Sequence, residues 1–172
     1  MEKKTTSESH TILTELVLPN DTNMINNLMG GKLMYLMDVI GAVTAQKHTG
    51  RLCVTASVDN VSFKKTIPLG SIVTLEARVT RAFNTSLEVF IEVYAENIPN
   101  RIGKYKANEA FATFVAVDDM GTPVQIPAVE PETIKDKQMY ESALQRRKLR
   151  LLFSGKKGEE KKTELNSFIT KL

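Results

Sequence analysis

The sequence predicts an α+β fold in which an antiparallel five-stranded sheet wraps around one long central helix, with a second helix at the C-terminus. Residues 31–45 are apolar on almost every side of a helix, which is typical of a helix enclosed by other structure. Much of the remaining chain alternates apolar and polar residues, as strands with one buried face do. Short turns between these strands favour antiparallel neighbours.

Five segments carry the strand pattern. The first, residues 11–18, precedes the helix and ends before Pro19. Four more follow the helix, and their short connections predict a meander of residues 52–63, 71–83, 86–96 and 105–117. Val61 and Phe63 fall out of step in the first of these four, which predicts a β-bulge near residues 59–60. A charged pattern with a thin apolar seam predicts the terminal helix at about residues 132–152.

The composition is that of one globular domain in a reducing compartment. The 172 residues are 42% hydrophobic and 25% charged, and the net charge of +3 is too small to indicate a nucleic-acid-binding domain. Cys53 is the single cysteine, so an internal disulfide is excluded. The polar first ten residues do not resemble a signal peptide, and no apolar run approaches the ~20 residues of a membrane helix. We therefore expect a cytoplasmic protein with neither nucleic-acid nor membrane partners.

Asp38 is an anomaly within the predicted central helix. Apart from Lys32 at the start, it is the only side chain in residues 31–45 that is of a type charged at neutral pH. An ionised carboxylate taken out of water costs several kcal/mol unless it is paired or used. One face of a sheet cannot cover a whole helix, so we expect a second copy of the chain to cover the remaining faces, giving at least a homodimer.

Asn23, Gly30, Gly31 and Asp38 together suggest acyl-transfer chemistry. Glycines at a helix start let a ligand approach the free N–H groups there, which suit a carbonyl oxygen that becomes negative in the transition state. Asp38 lies roughly 10 Å further along the helix axis and is suited to act as a general base toward water or as a nucleophile. Asn23 is placed to orient water or substrate. A purely structural reading also stands, in which the glycines form a turn and Asp38 is a hydrogen-bonded structural carboxylate.

The chain also resembles a known family, the hotdog-fold acyl-CoA thioesterases with one hotdog domain per chain. The resemblance covers residues 11–130 and rests on short motifs in a fixed order, namely PNDTN at 19–23, MGG at 29–31, LMD at 36–38, VT at 54–55, VSFKK at 61–65, TSLEV at 85–89 and AFATFVAVD at 110–118. We accordingly divide the chain into a flexible N-terminus at 1–10, a hotdog domain at 11–130, and a C-terminal helix with a basic flexible tail at 131–172.

The resemblance implies hydrolysis of an acyl-CoA thioester to a free carboxylic acid and CoA. In that reading Asp38 activates water or attacks directly, the Gly31 amide polarises the thioester carbonyl, and Asn23 positions the reactants. It also implies dimers with a continuous sheet, often three such dimers together, and a site where Asn23 of one subunit faces Asp38 of the other. The substrate contacts that it implies are Met29, Gly30, Thr55, Phe63, Lys65, Thr85 and Ser86. CoA is part of the substrate, so no cofactor is expected.

Other residues are assigned less specifically. Lys64, Lys65 and Arg81 are candidate contacts to the CoA phosphates, since phosphate groups need basic side chains. We interpret the basic residues of the terminal helix as solvated charges, these being Arg146, Arg147, Lys148 and Arg150. His10 and His48 lie in a polar tail and at the helix exit, and no Cys or His spacing indicates a metal site. Departures from the family pattern at Ile25, Asn26, Met29 and Thr66 leave the preferred acyl chain length open.

Two alternatives to the thioesterase remain at this point. A hotdog hydratase or dehydratase needs a histidine working with a carboxylate, and neither His10 nor His48 is expected near Asp38. A non-catalytic acyl-CoA-binding hotdog protein, either a sensor or a structural module, would bind the same ligand without turning it over. An activity assay separates the enzyme from the binding protein.

Overall fold

The computed structural model describes residues 3–59, 61 and 63–153. Eleven elements follow one another along this part of the chain. They are β1 (Lys3–Thr5), a 3₁₀ turn (Ser7–Ser9), β2 (Thr11–Leu16), a second 3₁₀ turn (Pro19–Asp21), α1 (Gly30–Thr49), β3 (Leu52–Asp59), β4 (Ile72–Ala82), β5 (Ser86–Asn97), β6 (Ile102–Val117), β7 (Ala128–Glu130) and α2 (Ile134–Phe153). The predicted tail beyond α2 lies outside the described residues.

The five-stranded antiparallel sheet around a long helix is confirmed. Its strands run in the order β2-β4-β5-β6-β3, and α1 packs against one face, which we call the inner face. The buried residues of α1 include Leu33, Leu36, Met37 and Ile40, the four that the helical periodicity places together. Gly41 is required at the closest approach, because a Cβ there would lie 2.7 Å from the Phe114 ring. The helix ends at Thr49 and is capped by Gly50, whose φ of 64° is in the left-handed region.

The prediction of a four-strand meander is wrong for its first member. Strands β4, β5 and β6 do form a meander, but β3 pairs with β6 rather than with β4 and so becomes an edge strand. The chain between β3 and β4 does not return as a hairpin. It passes the start of α1, where the Leu28 amide donates to the Ile67 carbonyl and the Phe63 ring lies against Gly30.

The β-bulge of β3 lies earlier than predicted. The register with β6 shifts between Thr55 and Ser57, and Asp59 is back in step opposite Phe111. The alternation therefore breaks inside the strand, and the strand ends at Asp59 instead of continuing to Phe63.

The flexible N-terminus predicted at residues 1–10 differs from the structure over its described part. Strand β1 pairs in parallel with β7, and Thr6 and Ser9 are buried. The Ser9 hydroxyl accepts a hydrogen bond from the Val79 amide, and the Lys4 ammonium donates to the Lys47 carbonyl at the end of α1. These polar side chains bind backbone groups that are far away in the sequence. The polar composition of residues 1–10 therefore does not by itself predict their burial.

Within one chain, α1 is not enclosed on every side. Met34 and Tyr35 are 44% and 61% exposed, and Val43 and Asp38 are exposed as well. Within one chain Asp38 thus lies on an open apolar face, which is the kind of face that the sequence predicts a second copy of the chain to cover. Nowhere in the described part of the chain is a helix long and apolar enough to span a membrane.

The outer face of the sheet is covered by α2. The helix begins with a capping box, in which the Thr133 hydroxyl accepts from the Asp136 amide and the Asp136 carboxylate accepts from the Thr133 amide. Strand β5 is buried on both faces as a result, including its polar residues Glu88 and Glu92.

Candidate active site

Asp38 and Thr55 form a hydrogen-bonded pair on the open face of α1. The Thr55 hydroxyl donates to Oδ1 of Asp38 over 2.6 Å. Asp38 comes from the third turn of α1 and Thr55 from the edge strand β3, just before its bulge. The second carboxylate oxygen has no hydrogen-bond partner among the described residues, so the pair presents one acceptor outward.

The pair is set in exposed apolar surface. Met34 and Tyr35 flank it on the helix, and Val54 of β3 is 51% exposed beside it. Monomeric proteins rarely leave a contiguous apolar surface around a polar pair uncovered, and such surfaces mark interaction sites.

The start of α1 is accessible at Gly31. Nothing lies within 4 Å of the position that a Cβ on Gly31 would occupy, whereas at Gly30 the Phe63 ring lies 3.1 Å away. The amides of a first helical turn have no intrahelical acceptor, and they carry partial positive charge. The helix start is held in place by the Met29 amide, which donates to the Asp21 carbonyl, and by the Lys32–Asp21 ion pair at 3.1 Å. The Leu18 amide and the Lys32 ammonium lower the pKa of the Asp21 carboxyl.

Asn23 organises the loop before α1. Its side-chain oxygen accepts from the amides of Ile25 and Asn27, both at 3.1 Å, and its own amide donates to the Asn27 carbonyl at 2.8 Å. Its side-chain NH₂ has no partner among the described residues and can only donate. Met24 at the tip of the turn is fully exposed. Within one chain, no hydrogen bond between described residues joins Asn23 to Asp38.

The remaining predicted contacts lie in two places. Phe63 lies on Gly30 at the start of α1. The Lys65 ammonium, two residues further along the chain, is 5.6 Å from the centre of the Tyr105 ring. Thr85 and Ser86 lie in the β4–β5 turn, where the Thr85 carbonyl accepts from the Ala116 amide at 3.0 Å. Met29 is 38% exposed at the N-cap of α1.

Arg81 and two arginines of the terminal helix correct the sequence reading. Arg81 donates to the Tyr140 carbonyl and lies over the Tyr140 ring at 4.0 Å, so its partner is α2 and not an open phosphate site. Arg146 binds buried Glu88, and Arg150 binds Asp59 at 2.8 Å, so neither is a solvated charge. Long basic side chains on a charged helix are usually solvated, and only the packing of α2 on the sheet removes these two from water.

Sequence reasoning missed Glu88 altogether. Its alternation with Leu87 and Val89 is the pattern of a solvent-facing residue. One signal was present, since the same face of β5 carries Phe90, which is 3% exposed and packs on the Phe111 ring at a centroid distance of 4.8 Å. Aromatic residues on the nominally polar face of a strand indicate that another element covers it.

The settings of His48 and Cys53 favour neither a reactive imidazole nor a reactive thiolate. His48 is fully buried, its Nε2 lies 3.0 Å from the Pro127 carbonyl, and burial lowers its pKa. Burial raises the pKa of the Cys53 thiol. Among residues 3–59, 61 and 63–153, no three His, Cys, Asp or Glu side chains are grouped as metal ligands.

Comparison with known proteins gives a consistent result. Residues 25–100 match the family model described as thioesterase superfamily. The uncharacterized acyl-CoA thioester hydrolase YkhA of Bacillus subtilis is 41% identical over 145 residues, which cover 84% of each chain. A hexameric acyl-CoA thioesterase solved without ligand is 40% identical, with a TM-score of 0.83 over 87% of this chain and 96% of its own.

A third relative is the acyl-CoA hydrolase of Staphylococcus aureus, solved in complex with butyryl-CoA, CoA and CoA disulfide. It is 38% identical, with a TM-score of 0.81 over 90% of this chain and 96% of its own. The same enzyme was also solved as three alanine variants, replacing an asparagine, an aspartate and a threonine. Along their chain these three residues have the same separations as Asn23, Asp38 and Thr55 have along this one.

Proposed function

This chain belongs to the thioesterase superfamily as a hotdog-fold acyl-CoA thioester hydrolase, and from that membership we propose that it hydrolyses acyl-CoA to a free carboxylic acid and CoA through Asp38, Asn23 and the start of α1. The observation that carries the proposal is the Asp38–Thr55 hydrogen bond on an open apolar face. A charged group held by one neutral donor keeps an acceptor free for water or substrate.

The helix start supplies the group that Asp38 lacks. As water or the carboxylate attacks the thioester carbon, the carbonyl oxygen becomes negative and accepts a hydrogen bond from the Gly31 amide. Gly31 has no side chain and open space beyond its Cβ position, so the surface at the helix start leaves room for a ligand to approach. In the general-base route Asp38 takes a proton from water, the C–S bond breaks, and the proton reaches the departing CoA sulfur. In the nucleophile route the Asp38 carboxylate attacks the carbonyl carbon, the C–S bond breaks and the CoA thiolate leaves. Water then cleaves the mixed anhydride to the free acid and the Asp38 carboxylate, and the proton released passes to the CoA sulfur.

Asn23 contributes a hydrogen-bond donor. Its side-chain oxygen is engaged by the turn, so only the NH₂ group is available to substrate. A donor of this kind suits the thioester carbonyl or an acceptor oxygen of Asp38, and it does not suit proton abstraction. The alanine variants studied in the Staphylococcus aureus relative support the choice of these three side chains, because their spacing matches Asn23, Asp38 and Thr55.

The complete site is built from two subunits. Asn23 and Asp38 share no hydrogen bond within one chain, and both lie on surface that a partner would cover. Edge strand β3 leaves one side of its backbone unpaired, which suits a sheet continued into a second copy. We extend this to a trimer of such dimers, a state that the hexameric relative supports. A cytoplasmic location and independence from any cofactor complete the proposal.

The proposed substrate contacts lie in two places, at the start of α1 and in the β4–β5 turn. Met29, Gly30, Phe63 and Lys65 surround the helix start, and Thr55 holds the carboxylate. Thr85 and Ser86 lie at the opposite end of the neighbouring strands, and they are assigned to the nucleotide end of CoA. Exposed Met24 and Met34 supply adaptable apolar surface for an acyl chain.

Release of free thiol from a panel of short to long acyl-CoAs tests the activity. We expect the unsubstituted chain to release CoA and to prefer one range of chain length. No release at any length, from folded and oligomeric protein, would favour the non-catalytic acyl-CoA-binding protein instead.

Subunit mixing tests the shared site. Asn23→Ala and Asp38→Ala should each be nearly inactive. Co-refolding the two at equal amounts should restore about a quarter of the unsubstituted activity, because half of the dimers are mixed and each mixed dimer holds one complete site. Recovery that stays at the level of the separate variants would place both residues in one subunit's site.

A further inference from the structure

Helix α2 is attached to the sheet at a buried carboxylate. The Arg146 guanidinium donates to both oxygens of Glu88, at 2.7 and 3.0 Å, and lies 3.9 Å from the centre of the Phe111 ring. Glu88 also accepts from the Thr80 hydroxyl at 2.6 Å. These contacts hold the helix over strands β4, β5 and β6.

One turn further along α2, Arg150 reaches a different strand. Its Nη1 donates to Oδ2 of Asp59 at 2.8 Å, and the two side chains are only 16% and 23% exposed. Asp59 is the last residue of β3 and pairs opposite Phe111, so both arginine contacts lie close together on the outer face, where β3 ends beside the middle of β6. Charges removed from water to this extent hold a defined geometry only with their partner present.

Strand β3 needs such an attachment beyond its bulge. It is an edge strand with a ladder on one side, and that ladder is interrupted between Thr55 and Ser57. Within one chain, the β6 ladder from Ser57 to Asp59 and the packing of Val58 against the hydrophobic core also hold this end of the strand, and the Arg150–Asp59 contact adds its attachment to α2. Arg150 therefore fixes the C-terminal end of β3, the strand in which Thr55 lies.

The chain after Asp59 leads directly to the helix start. Val61 packs against the hydrophobic core, and the Phe63 ring closes over Gly30 at 3.1 Å from its Cβ position. Displacing Asp59 would therefore shift Thr55 on one side and Phe63 on the other. Small misplacements of this kind lower rates substantially even when the substituted residue is remote.

We infer that Arg150 is a positioning residue for thioester hydrolysis, acting through Asp59 to hold the Thr55 hydroxyl and the Phe63 ring in place. The inference rests on the proposed function. It assigns to α2, which lies on the face of the sheet opposite the site, a part in the geometry of the reaction.

Arg150→Met tests this inference in the full-length oligomer, with Arg147→Met as the matched control. Arg147 is on the same helix with the same charge, but its guanidinium lies over the Phe83 ring at 4.2 Å and not near β3. Hydrogen–deuterium exchange is followed in peptides that contain Val61 and Phe63, and kcat and KM are measured by thiol release. We expect Arg150→Met to accelerate exchange there and to lower kcat by about tenfold, with a much smaller change in KM, since the Gly31 contact strengthens in the transition state. Arg147→Met should do neither, and Arg150→Lys should recover part of kcat.

The outcomes separate the inference from the proposed function. Absence of thiol release by the unsubstituted chain overturns the proposed function. Unchanged exchange in Arg150→Met overturns the attachment through Asp59, whatever the activity. Faster exchange with an unchanged kcat overturns the positioning role while leaving the attachment in place.

Discussion

Two carboxylates on opposite faces of the molecule, Asp38 and Glu88, show how different settings serve different purposes. Glu88 is fully buried under α2, and it accepts from Nε and Nη2 of Arg146 and from the Thr80 hydroxyl. Asp38 is exposed on the open face of α1 and has the Thr55 hydroxyl as its single hydrogen-bond donor among the described residues. Both oxygens of the buried group accept hydrogen bonds from the protein, three in all, while the exposed group accepts one.

The difference teaches that burial and the number of hydrogen bonds together separate a structural carboxylate from a reactive one. A carboxylate whose oxygens are fully hydrogen-bonded is held by its environment and has nothing to offer a substrate. A carboxylate fixed by one donor is oriented yet still able to accept a proton or attack a carbonyl. We therefore expect substitutions at Asp38 to affect turnover and substitutions around Glu88 to affect stability.

The largest effect is expected from Asp38→Asn, which removes the charge while preserving the shape. The kcat for thiol release should fall by about 10²–10⁴-fold, the range for loss of a general base. The free energy of unfolding in urea should change little, because Asn fills the same space and its side-chain oxygen still accepts from the Thr55 hydroxyl. Glu15→Gln, at an exposed position on β2, is the matched control. Retained turnover in Asp38→Asn would remove this carboxylate from the mechanism.

Arg146→Met should produce the next largest effect, and it should appear in stability. Met retains the apolar stem but leaves the Glu88 charge buried with only Thr80 beside it. Breaking a buried pair in this way costs about 3 kcal/mol in the free energy of unfolding, which urea titration measures. Arg147→Met serves as the control on the same helix. An equal loss in both variants would mean that α2 is held by general packing and not by the Glu88 pair.

Thr55→Val should have a smaller effect, confined to activity. The substitution keeps the β-branched shape and removes the hydroxyl that orients Asp38. We expect kcat to fall by about tenfold, in line with loss of one hydrogen bond to a charged group. Thr55→Ser keeps the hydroxyl and should retain most of the activity. A loss in Thr55→Ser as large as that in Thr55→Val would point to packing of the side chain instead of its hydrogen bond.

The smallest effect is expected on the pH dependence of the free energy of unfolding, through Glu92 on the outer face of the sheet. Burial by itself raises the pKa of Glu92, but the hydrogen bond and charge of Lys106, with Lys135 and Arg78 nearby, outweigh it and lower that pKa below its usual 4.5. The unfolded chain therefore binds a proton more readily, and the stability from this network is present above about pH 4.5 and lost as the pH falls through the lower folded-state pKa. Glu92→Gln should flatten the decline of the unfolding free energy on acidification. Parallel curves for the two proteins would contradict it.

Much of the fold could be predicted from local pattern. The apolar helix, the five alternating strands and the terminal helix all follow from periodicity, and all are present near the expected residues. The partner of β3 was predicted wrongly, since strand pairing across the sheet depends on contacts that are distant in the sequence. The ordered N-terminus was missed for a similar reason, because Thr6 and Ser9 are buried by β4, β7 and α2, which follow much later in the chain.

The candidate site, like the fold, could be predicted only in part from the sequence. Asp38, Asn23 and the glycine pair could be selected from residue type and order, and Gly31 does lie open at a helix start. Their joint role stays a prediction, because the proposed site joins Asn23 and Asp38 of different subunits and no hydrogen bond between described residues joins them within one chain.

By itself, the sequence determined which segments form helix and strand, which helix face is buried, and which few residue types have the chemistry for acyl transfer. These properties depend on neighbours three, four or two positions away, and periodicity records them. Only the tertiary structure decided that Thr55 holds Asp38, that Glu88 is buried beneath Arg146, and that Arg150 reaches the end of β3. Each of these contacts joins segments between 17 and 91 residues apart, and it exists because the sheet and α2 bring those segments together.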